Sequence, residues 1–376
     1  MPSPTKALTS PSASTERLAF WRELLLFAVL VLLGMGLVVG LGLDTAMAKG
    51  PLLPVLQRRA LPMFLGLGLF FLLQFLPLSW MRKGAPYLLG LALVLCLLPK
   101  FFGWSGKGAA RWIPVGRITF QPVEILKPAL VLSFASLLVF FGRRIERGFS
   151  EILQAVGFLG LASLVLILQP DIGNAFFLFV VGGVMLVAAG MGWRAILSLL
   201  AMLGTGLVLL LTLGFHHTQA RLADFFSETP GYQMSHGLGA FAEGGLGGTG
   251  LGRSWSKFFI PEGRNDFVLA VLGNEFGVLG SLLVVGLFAL LLYAGIQIAR
   301  QKRDSWASLV SLGLVVQIVG QACFNMLGVT YTIPEKGIDL PFISSGGTGL
   351  VFALATVGLL ARIARPDEDP PWDRTR

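Results

Sequence analysis

The segment PEGRNDFVLAVLGNEFGVLG, residues 261–280, joins a polar, charged loop directly to an apolar stretch, with Asp266 at the junction. A carboxylate at the mouth of a membrane helix is costly unless it is solvated, paired or used in a reaction, so such an acid is a functional candidate. Asp also suits a helix N-cap, because its side chain accepts hydrogen bonds from the first free N–H groups. The segment therefore predicts a membrane helix whose entry carries either a working residue or a cap.

The composition places this segment in a polytopic membrane protein. Of 376 residues, 55% are hydrophobic and 13% are charged, and the mean hydropathy is +0.77. Soluble domains average about 25% charged residues, so an ordinary soluble domain is excluded. Cys96 and Cys323 both lie in apolar runs, where cysteine usually behaves as a small hydrophobe. The polar start, residues 1–23, precedes an apolar run without a small-residue cleavage site, which predicts a retained cytoplasmic tail.

Apolar runs recur along the whole chain, and a bilayer core needs about 20 such residues per helix. They predict an all-α fold of ten transmembrane helices with a large outer loop at about 215–265. Lys and Arg at alternate short turns predict that both termini are cytoplasmic. The membrane domain is residues 24–364, and residues 365–376 form a second cytoplasmic tail. The predicted spans are 24–43, 60–79, 85–99, 123–141, 152–168, 172–190, 194–214, 266–299, 306–327 and 346–364.

Many further cations fall on the predicted outer side. Long loops translocate regardless of their charge, so Lys49, Lys100 and Lys257 are interpreted as solvated surface residues. Around a membrane cavity, other outer cations would attract an anionic ligand, and a lipid diphosphate is the obvious membrane-borne kind. No G-x-x-x-x-G-K-[ST] phosphate loop occurs, so ATP-driven pumping has no support. The candidate diphosphate-binding cations are Arg111, Arg221, Arg264 and Lys336.

The segment QPVEILK, residues 121–127, predicts a helix entry that carries an ion pair. Pro is tolerated in the first turn of a helix, and Glu124 and Lys127 are three residues apart on one helical face. An unpaired charge near the membrane would be costly, so the two are expected to neutralise each other. They then either order the wall of a cavity or contact its ligand, and the sequence leaves both open.

Three other polar segments have both structural and functional interpretations. Asp171, in the turn Pro170-Asp171-Ile172-Gly173, is best explained as a helix cap. The glycine-rich segment 243–252 either brings backbone N–H groups to a ligand or is simply flexible. The loop 334–349 contains Pro and Gly that prevent a continuous helix, and irregular backbone at membrane depth normally lines a wet cavity. Its Ser344 and Ser345 serve either that cavity or a helix cap.

Four of these segments together resemble the signature blocks of the SEDS glycosyltransferases, the shape, elongation, division and sporulation proteins typified by RodA and FtsW. The resemblance implies a ten-helix enzyme in the cytoplasmic membrane that polymerises lipid II at the outer face. It also implies a class B penicillin-binding protein as transpeptidase partner, and no nucleic acid. The matching segments, in chain order, are GAARWIPVGRITFQPVEILK (108–127), LQPDIGNA (168–175), PEGRNDFVLAVLGNEFG (261–277) and PEKGIDLPFISSGGTG (334–349).

Residue by residue, the resemblance places the family's essential aspartate at Asp266 and its Glu and Lys at Glu124 and Lys127. The chain departs from the common pattern at Ser345, where Tyr is usual, and at Asn274, where an acid is more frequent. Pro-Glu-Lys-Gly at the start of the last block resembles the division-type sequence, which favours an FtsW-like protein.

The chemistry implied is an inverting glycosyl transfer. A diphosphate leaving group needs charge stabilisation rather than a proton, so one carboxylate suffices, and Asp266 is expected to act as general base on the acceptor 4-hydroxyl. The alternative is that Asp266 holds a divalent cation, Mg²⁺ or Mn²⁺, which binds the diphosphate. The histidines His216, His217 and His236 do not form a convincing metal site.

Two other classes of function remain open at this point. A flippase for the lipid-linked precursor would use the same cationic outer cavity, although the sequence offers no evident polar route to the cytoplasm. A non-catalytic scaffold for division proteins would tolerate charge-neutral changes in the outer loops.

Overall fold

The fold is a bundle of long apolar helices with one small sheet. A computed structural model describes residues 13–47, 52–102, 104–106, 109–115, 118–146, 148–193, 195–198, 201, 204, 224–227, 230–334 and 337–365. The helices are α1 (Ala13–Met47), α2 (Leu52–Phe75), α3 (Leu78–Phe102), α4 (Val123–Phe141), α5 (Phe149–Ile167), α6 (Ile172–Ala188), α7 (Tyr232–Gly244), α8 (Val268–Gln301), α9 (Ser305–Val329) and α10 (Gly347–Ile363). The strands are β1 (Trp104–Gly106), β2 (Ala109–Val115) and β3 (Ile118–Phe120).

Six of the described helices are long and apolar enough to cross a membrane, which confirms a multi-pass membrane protein. They are α1, α3, α4, α5, α8 and α9, whereas α6, α10 and the apolar part of α2 are shorter. The predicted seventh span, residues 194–214, lies almost entirely outside the described residues. The count of ten spans therefore stays a prediction.

The other nine predicted spans fall on helices, although the ends of several helices differ from the ends of the spans. α1 begins at Ala13 within the predicted tail, and α3 is 25 residues long, although the sequence predicted a short span. α8 begins at Val268, which leaves Asp266 in the preceding turns. α1 and α3 are longer because polar residues at a helix end keep the helical hydrogen bonds beyond the apolar run, whereas α8 begins later because residues 261–267 form turns.

The all-α prediction also needs a correction, since a small antiparallel sheet follows α3. Its strand order is β1-β2-β3, with Trp104 opposite Trp112 and Ile113 opposite Phe120. The sheet leads into α4, whose N-cap is Pro122, as the Gln-Pro helix entry predicted. The strands are short and contain few alternating apolar residues, so the sequence carried little signal for them.

The helices pack around α4 and α9 at the centre of the bundle. α1 packs along α8, α2 along α10, and α8 along α9. Trp306 of α9 is buried, and its ring N–H donates to Ser136 Oγ of α4 at 2.9 Å. By contrast, α2 and α3 expose large apolar side chains, as expected for a surface in contact with lipid tails. Examples are Phe64, Phe71, Phe75, Trp80, Leu91 and Val94.

Candidate functional site

Asp266 lies in an irregular turn directly before α8. The N-cap of α8 is Phe267, whose side chain makes no cap hydrogen bond, so Asp266 does not occupy the N-cap position. The backbone carbonyl of Asp266 accepts a 2.7 Å hydrogen bond from Asn325 Nδ2 of α9. One carboxylate oxygen, Oδ2, lies 3.1 Å from the position that a Cβ on Gly337 would occupy. The side chain of Asp266 therefore faces the loop between α9 and α10.

That loop is held against the Asp266 segment by hydrogen bonds to the backbone. Asn325 Nδ2 also donates to Ile338 O at 2.8 Å, so one amide group binds both segments. Ser344 Oγ donates to Asn265 O at 2.8 Å and accepts from Leu340 N at 2.8 Å. The predicted serine cap is wrong, because the N-cap of α10 is Gly346 and no described side chain caps it. The serine instead fixes the relative position of the two segments.

Asp339 lies on this loop and faces Asp266. Its carboxyl hydrogen bonds the carboxyl of Asp266. Burial, followed by the nearby Glu124 carboxylate, raises the pKa of Asp339 to about 6, although Lys127 and the hydrogen bond with Asp266 act in the opposite direction. When two carboxyls are in contact, the charge on one disfavours ionisation of the other, so the pair tends to hold one proton between them. Sequence reasoning missed Asp339, since Asp in a loop with Pro and Gly gives no signal that separates it from ordinary turn residues.

The predicted ion pair between Glu124 and Lys127 is confirmed, with Lys127 Nζ 2.7 Å from Glu124 Oε1. Only 1% of Lys127 is exposed. Its ammonium group also donates to Gln321 Oε1 at 2.8 Å, and Gln321 Nε2 donates to Asp339 O at 3.0 Å. The pair is therefore connected through Gln321 to the loop that carries Asp339. Whether it contacts a ligand stays a prediction.

The predicted cations are held by acids nearby. Arg111 on β2 donates to Pro170 O and lies 3.7 Å from Asp171 Oδ1. Asp171 is the N-cap of α6 and accepts from Asn174 N, as the cap interpretation predicted.

Arg264 lies beside a second acid at the same end of the bundle as Asp266. Its Nε is 3.3 Å from Asp44 Oδ1, while Arg59 Nε binds Asp44 Oδ2 at 2.5 Å. Arg59 also donates to Ser345 Oγ at 2.5 Å, so this cluster joins α1, α2 and the start of α10. Arg221 and Lys336 lie outside the described residues. The diphosphate-binding role of all four predicted cations stays a prediction.

The backbone around Asp266 contains two residues in the left-handed region. Glu262 has φ 56° and Phe342 has φ 68°, and neither is a glycine. Non-glycine residues in this region cost of order 1–3 kcal/mol each and are frequent at functional sites. The strain is carried by the two segments that place Asp266 and Asp339 opposite each other.

The glycine-rich segment has a structural role that the sequence left open. α8 is broken at Gly277, where φ is 69°. Residues of the glycine-rich segment take over hydrogen bonding there: Val278 N donates to Gly245 O at 2.9 Å, and Thr249 N donates to Asn274 O at 2.9 Å. The close approach of the two backbones requires glycine, because a Cβ on Gly277 would collide with Leu246 O.

Lys257 and Glu275 are buried beneath this segment. Lys257 is 3% exposed, and its Nζ lies 3.9 Å from Glu275 Oε1. Lys257 Nζ donates to Gly252 O at 2.7 Å, and Gly252 N donates to Glu275 Oε1 at 3.2 Å. The interpretation of Lys257 as a solvated surface residue was therefore wrong, whereas Lys100 is exposed as predicted. Sequence position alone did not reveal that Lys257 folds back over α8.

The described residues do not supply a set of metal ligands. No three His, Cys, Asp or Glu side chains in the described part of the chain are grouped so as to hold a metal ion. Asp266 and Asp339 by themselves provide two carboxyls, fewer than an all-protein magnesium or calcium site uses. The divalent cation at Asp266 stays a prediction, and the chemistry below uses the side chains alone.

Comparison with known proteins places this arrangement in a wider group. Residues 23–369 match the family described as cell cycle protein, FtsW/RodA/SpoVE. A probable peptidoglycan glycosyltransferase FtsW from Marinobacter nauticus is 32% identical over 302 residues, which cover 78% of this chain and 76% of that protein.

Two solved structures are similar along nearly the whole chain. The crystal structure of the rod shape determining protein RodA of Thermus thermophilus has a TM-score of 0.68 at 29% identity, covering 91% of this chain and 95% of that one. A chain from a peptidoglycan synthase complex, studied for its coordination of polymerization and crosslinking, has a TM-score of 0.75 at 27% identity. The match covers 92% of this chain and 98% of that one.

Proposed function

Because the chain belongs to the FtsW/RodA/SpoVE family of cell cycle proteins, we propose that it is a peptidoglycan glycosyltransferase that polymerises lipid II, with Asp266 as its general base. The relatives named peptidoglycan glycosyltransferase FtsW support the activity, and the similarity to them supports an FtsW-like member. The proposed location is the cytoplasmic membrane, with ten spans and with Asp266 at the outer face.

The observation that carries the assignment of Asp266 is its position between a strained loop and a buried charge network. Its carboxyl lies beside Gly337 and bonds Asp339, and the amide of Asn325 fixes its backbone. The amide of Asn325 on α9 fixes the backbone of Asp266, and the neighbouring Gly337 and Asp339 set the orientation of its carboxyl. A general base needs a fixed position of this kind.

The proposed reaction is a single displacement with inversion. Asp266 removes the proton from the acceptor 4-hydroxyl while that oxygen attacks the anomeric carbon of the donor, and the bond to the diphosphate oxygen breaks with its electron pair. The product linkage is β-1,4. Arg111, Arg221, Arg264 and Lys336 are the cations from which stabilisation of the departing diphosphate would come. Glu124 and Lys127 shape the neighbouring wall through Gln321.

A transpeptidase partner is part of the proposal. The similar chain from a peptidoglycan synthase complex comes from an assembly that coordinates polymerization and crosslinking. A class B penicillin-binding protein would provide the crosslinking activity beside this chain. The exposed apolar side chains of α8, such as Leu279, Leu282 and Leu283, offer a surface to either lipid or a partner helix.

The test is polymerisation of labelled lipid II by the purified chain with its partner. We expect the wild type to form glycan strands and Asp266→Asn to be slower by about 10²–10⁴-fold, the range for loss of a positioned acid or base. Asp304→Asn is a matched control, since Asp304 caps α9 at the other end of the bundle and Asn also caps well. If Asp266→Asn polymerises at the wild-type rate with an unchanged thermal unfolding midpoint, the assignment fails.

The same preparations separate the enzyme from a flippase. Reconstituted vesicles report translocation of labelled lipid II by its accessibility to a membrane-impermeant quencher. Translocation by the chain, lost in Asp266→Asn, together with the absence of polymer in the first assay, would favour the flippase instead.

A further inference from the structure

The contact between two carboxyls at the proposed site goes beyond a single general base. We propose that Asp339 is a positioning residue of the transferase: its carboxylate lies within hydrogen-bond reach of the Asp266 carboxyl and receives the proton that Asp266 removes from the acceptor hydroxyl. This inference rests on the proposed role of Asp266 and deepens it.

The first support is that the two segments are built to face each other. Asn325 binds the carbonyls of Asp266 and Ile338 with one amide, at 2.7 and 2.8 Å. Ser345 N adds a 2.9 Å hydrogen bond to Arg264 O. Hydrogen bonds therefore join the segment of Asp266 to the segment of Asp339 at two separate points. The contact between the two acids is held by the backbone and does not depend on flexible side chains alone.

The second support is the space reserved for the Asp339 carboxyl. A Cβ on Gly346 would collide with Asp339 Oδ2, and a Cβ on Gly349 would lie 3.5 Å from the same oxygen. The first turn of α10 thus lacks side chains where Asp339 passes, which lets this short side chain reach Asp266. A loop aspartate with no role beyond solubility would point to solvent instead.

The third support is the charge around Asp339. Asp266 and Glu262 face it from the segment before α8, and Glu124 and Lys127 face it from α4. The α9 side chains nearest to it, Gln321 and Asn325, are uncharged. Three carboxyls and one ammonium surround Asp339, and Lys127 is already bound to Glu124. This surplus of acids favours a proton on one of them, and the raised pKa of Asp339 agrees.

The proton balance of the reaction then closes within the pair. When the acceptor oxygen bonds to the anomeric carbon, its proton moves to Asp266, and the diphosphate leaves with the electron pair of the broken bond. The proton passes along the hydrogen bond to Asp339 and from there to water. Both carboxyls are thereby ionised again, and Asp266, whose backbone Asn325 holds, can accept the proton of the next acceptor hydroxyl.

The experiment compares wild type, Asp339→Asn and Asp339→Glu in the lipid II polymerisation assay from about pH 5 to about pH 9, measuring kcat and KM. We expect the wild-type kcat to fall on the acid side with a midpoint near the Asp339 pKa of about 6. Asp339→Asn removes a neighbouring acid, so the midpoint should move at least about one pH unit lower. The plateau kcat should also fall several-fold with little change in KM, while Asp339→Glu should return the midpoint toward the wild-type value.

A profile of Asp339→Asn that superimposes on the wild type overturns the inference. Asp304→Asn, which alters an exposed acid on the far end of α9, should keep the wild-type profile. Asp339→Ser is the second variant if Asp339→Asn does not fold, and the same shift is expected. If neither folds, infrared titration of the wild type should show a carboxyl protonating near pH 6, and its absence overturns the inference.

The outcomes distinguish this inference from the proposed function. An inactive wild type, or an Asp266→Asn variant as active as the wild type, overturns the proposed function. An active wild type with an inactive Asp266→Asn and an unshifted Asp339→Asn overturns only the role of Asp339.

Discussion

Two buried lysine–glutamate pairs in this protein use the same chemical groups for different ends. Lys127 and Glu124 lie one turn apart on α4, whereas Lys257 comes from the segment before α8 and meets Glu275 within α8. Lys257 and Glu275 both bind the backbone of Gly252, so their hydrogen bonds close on the glycine-rich segment. Lys127 instead continues to Gln321 and thereby to the loop of Asp339.

The difference teaches that a buried charge acquires its role from what surrounds it. Lys257 and Glu275 both hydrogen bond the backbone of Gly252, and so they hold the glycine-rich segment against the broken helix α8. The hydrogen bonds of the Lys127–Glu124 pair continue through Gln321 to the loop of Asp339, where the proposed reaction site lies. Both lysines are buried and paired with a glutamate, at 2.7 Å for Lys127 and 3.9 Å for Lys257, so burial and pairing do not identify function by themselves.

The strongest test of the difference between the two pairs is to replace each pair with neutral side chains. Neutral replacement of a buried pair is often tolerated for folding, because both desolvation costs disappear together. We expect Lys257→Met with Glu275→Gln to keep most polymerisation activity. Glu124→Gln with Lys127→Met should fold but lose about 100-fold in kcat, since small displacements of a site cost that much. Lipid II polymerisation per folded protein measures both.

Equal losses in the two double variants would contradict the distinction between the pairs. Thermal unfolding of each variant in the same detergent controls for differences in folding.

A single substitution tests whether the buried Lys257 contributes to the stability of the fold through its contact with Glu275. Lys257→Met leaves the Glu275 carboxylate buried without its cation, which should destabilise the fold by about 3–5 kcal/mol. Lys100→Met is the matched control, because Lys100 is exposed and surface substitutions usually stay within about 0.5 kcal/mol. The measurement is the thermal unfolding midpoint. A midpoint for Lys257→Met equal to that of Lys100→Met would show that Lys257 is a surface residue after all.

The smallest expected effect concerns the broken helix under the glycine-rich segment. Gly277→Ala places a Cβ against Leu246 O at φ 69°, which should cost about 1–3 kcal/mol. Gly286→Ala, in the regular part of the same helix, meets no atom within 4 Å and should be neutral or slightly stabilising. Thermal unfolding of the two variants distinguishes them. An unchanged midpoint for Gly277→Ala would mean that the close approach of the two backbones is not needed.

Much of the fold followed from the sequence because membrane helices are specified by long apolar runs. The runs at 123–141 and 306–327 match α4 and α9 within a few residues. Boundaries were less certain at polar segments, which extend α1 back to Ala13 but form turns before α8 begins at Val268. The sheet and α7 were missed, since short strands and a glycine-rich helix lack strong periodicity.

The sequence named some residues of the candidate site. Asp266 was a candidate because an acid at the entry of an apolar helix is costly and, above all, because the resemblance to the SEDS family places the essential aspartate there. The spacing of Glu124 and Lys127 predicted their contact, which the structure shows. Asp339 and the Asn325 clamp were not predictable, because their partners lie far away in the chain and loop residues carry no periodic signal. For the same reason Lys257 was assigned to the surface, although it folds back onto α8.

The sequence by itself determined that this is a membrane protein of long helices, and it predicted Asp266 as the leading candidate for a functional residue. These properties are local, since they depend on hydropathy along one segment and on the cost of a charge near lipid. Only the tertiary structure decided that Asp266 faces Asp339 and that the glycine-rich segment completes a broken helix. Both facts depend on which segments of the chain contact each other. Long-range packing brings these segments together, and local composition does not reveal it.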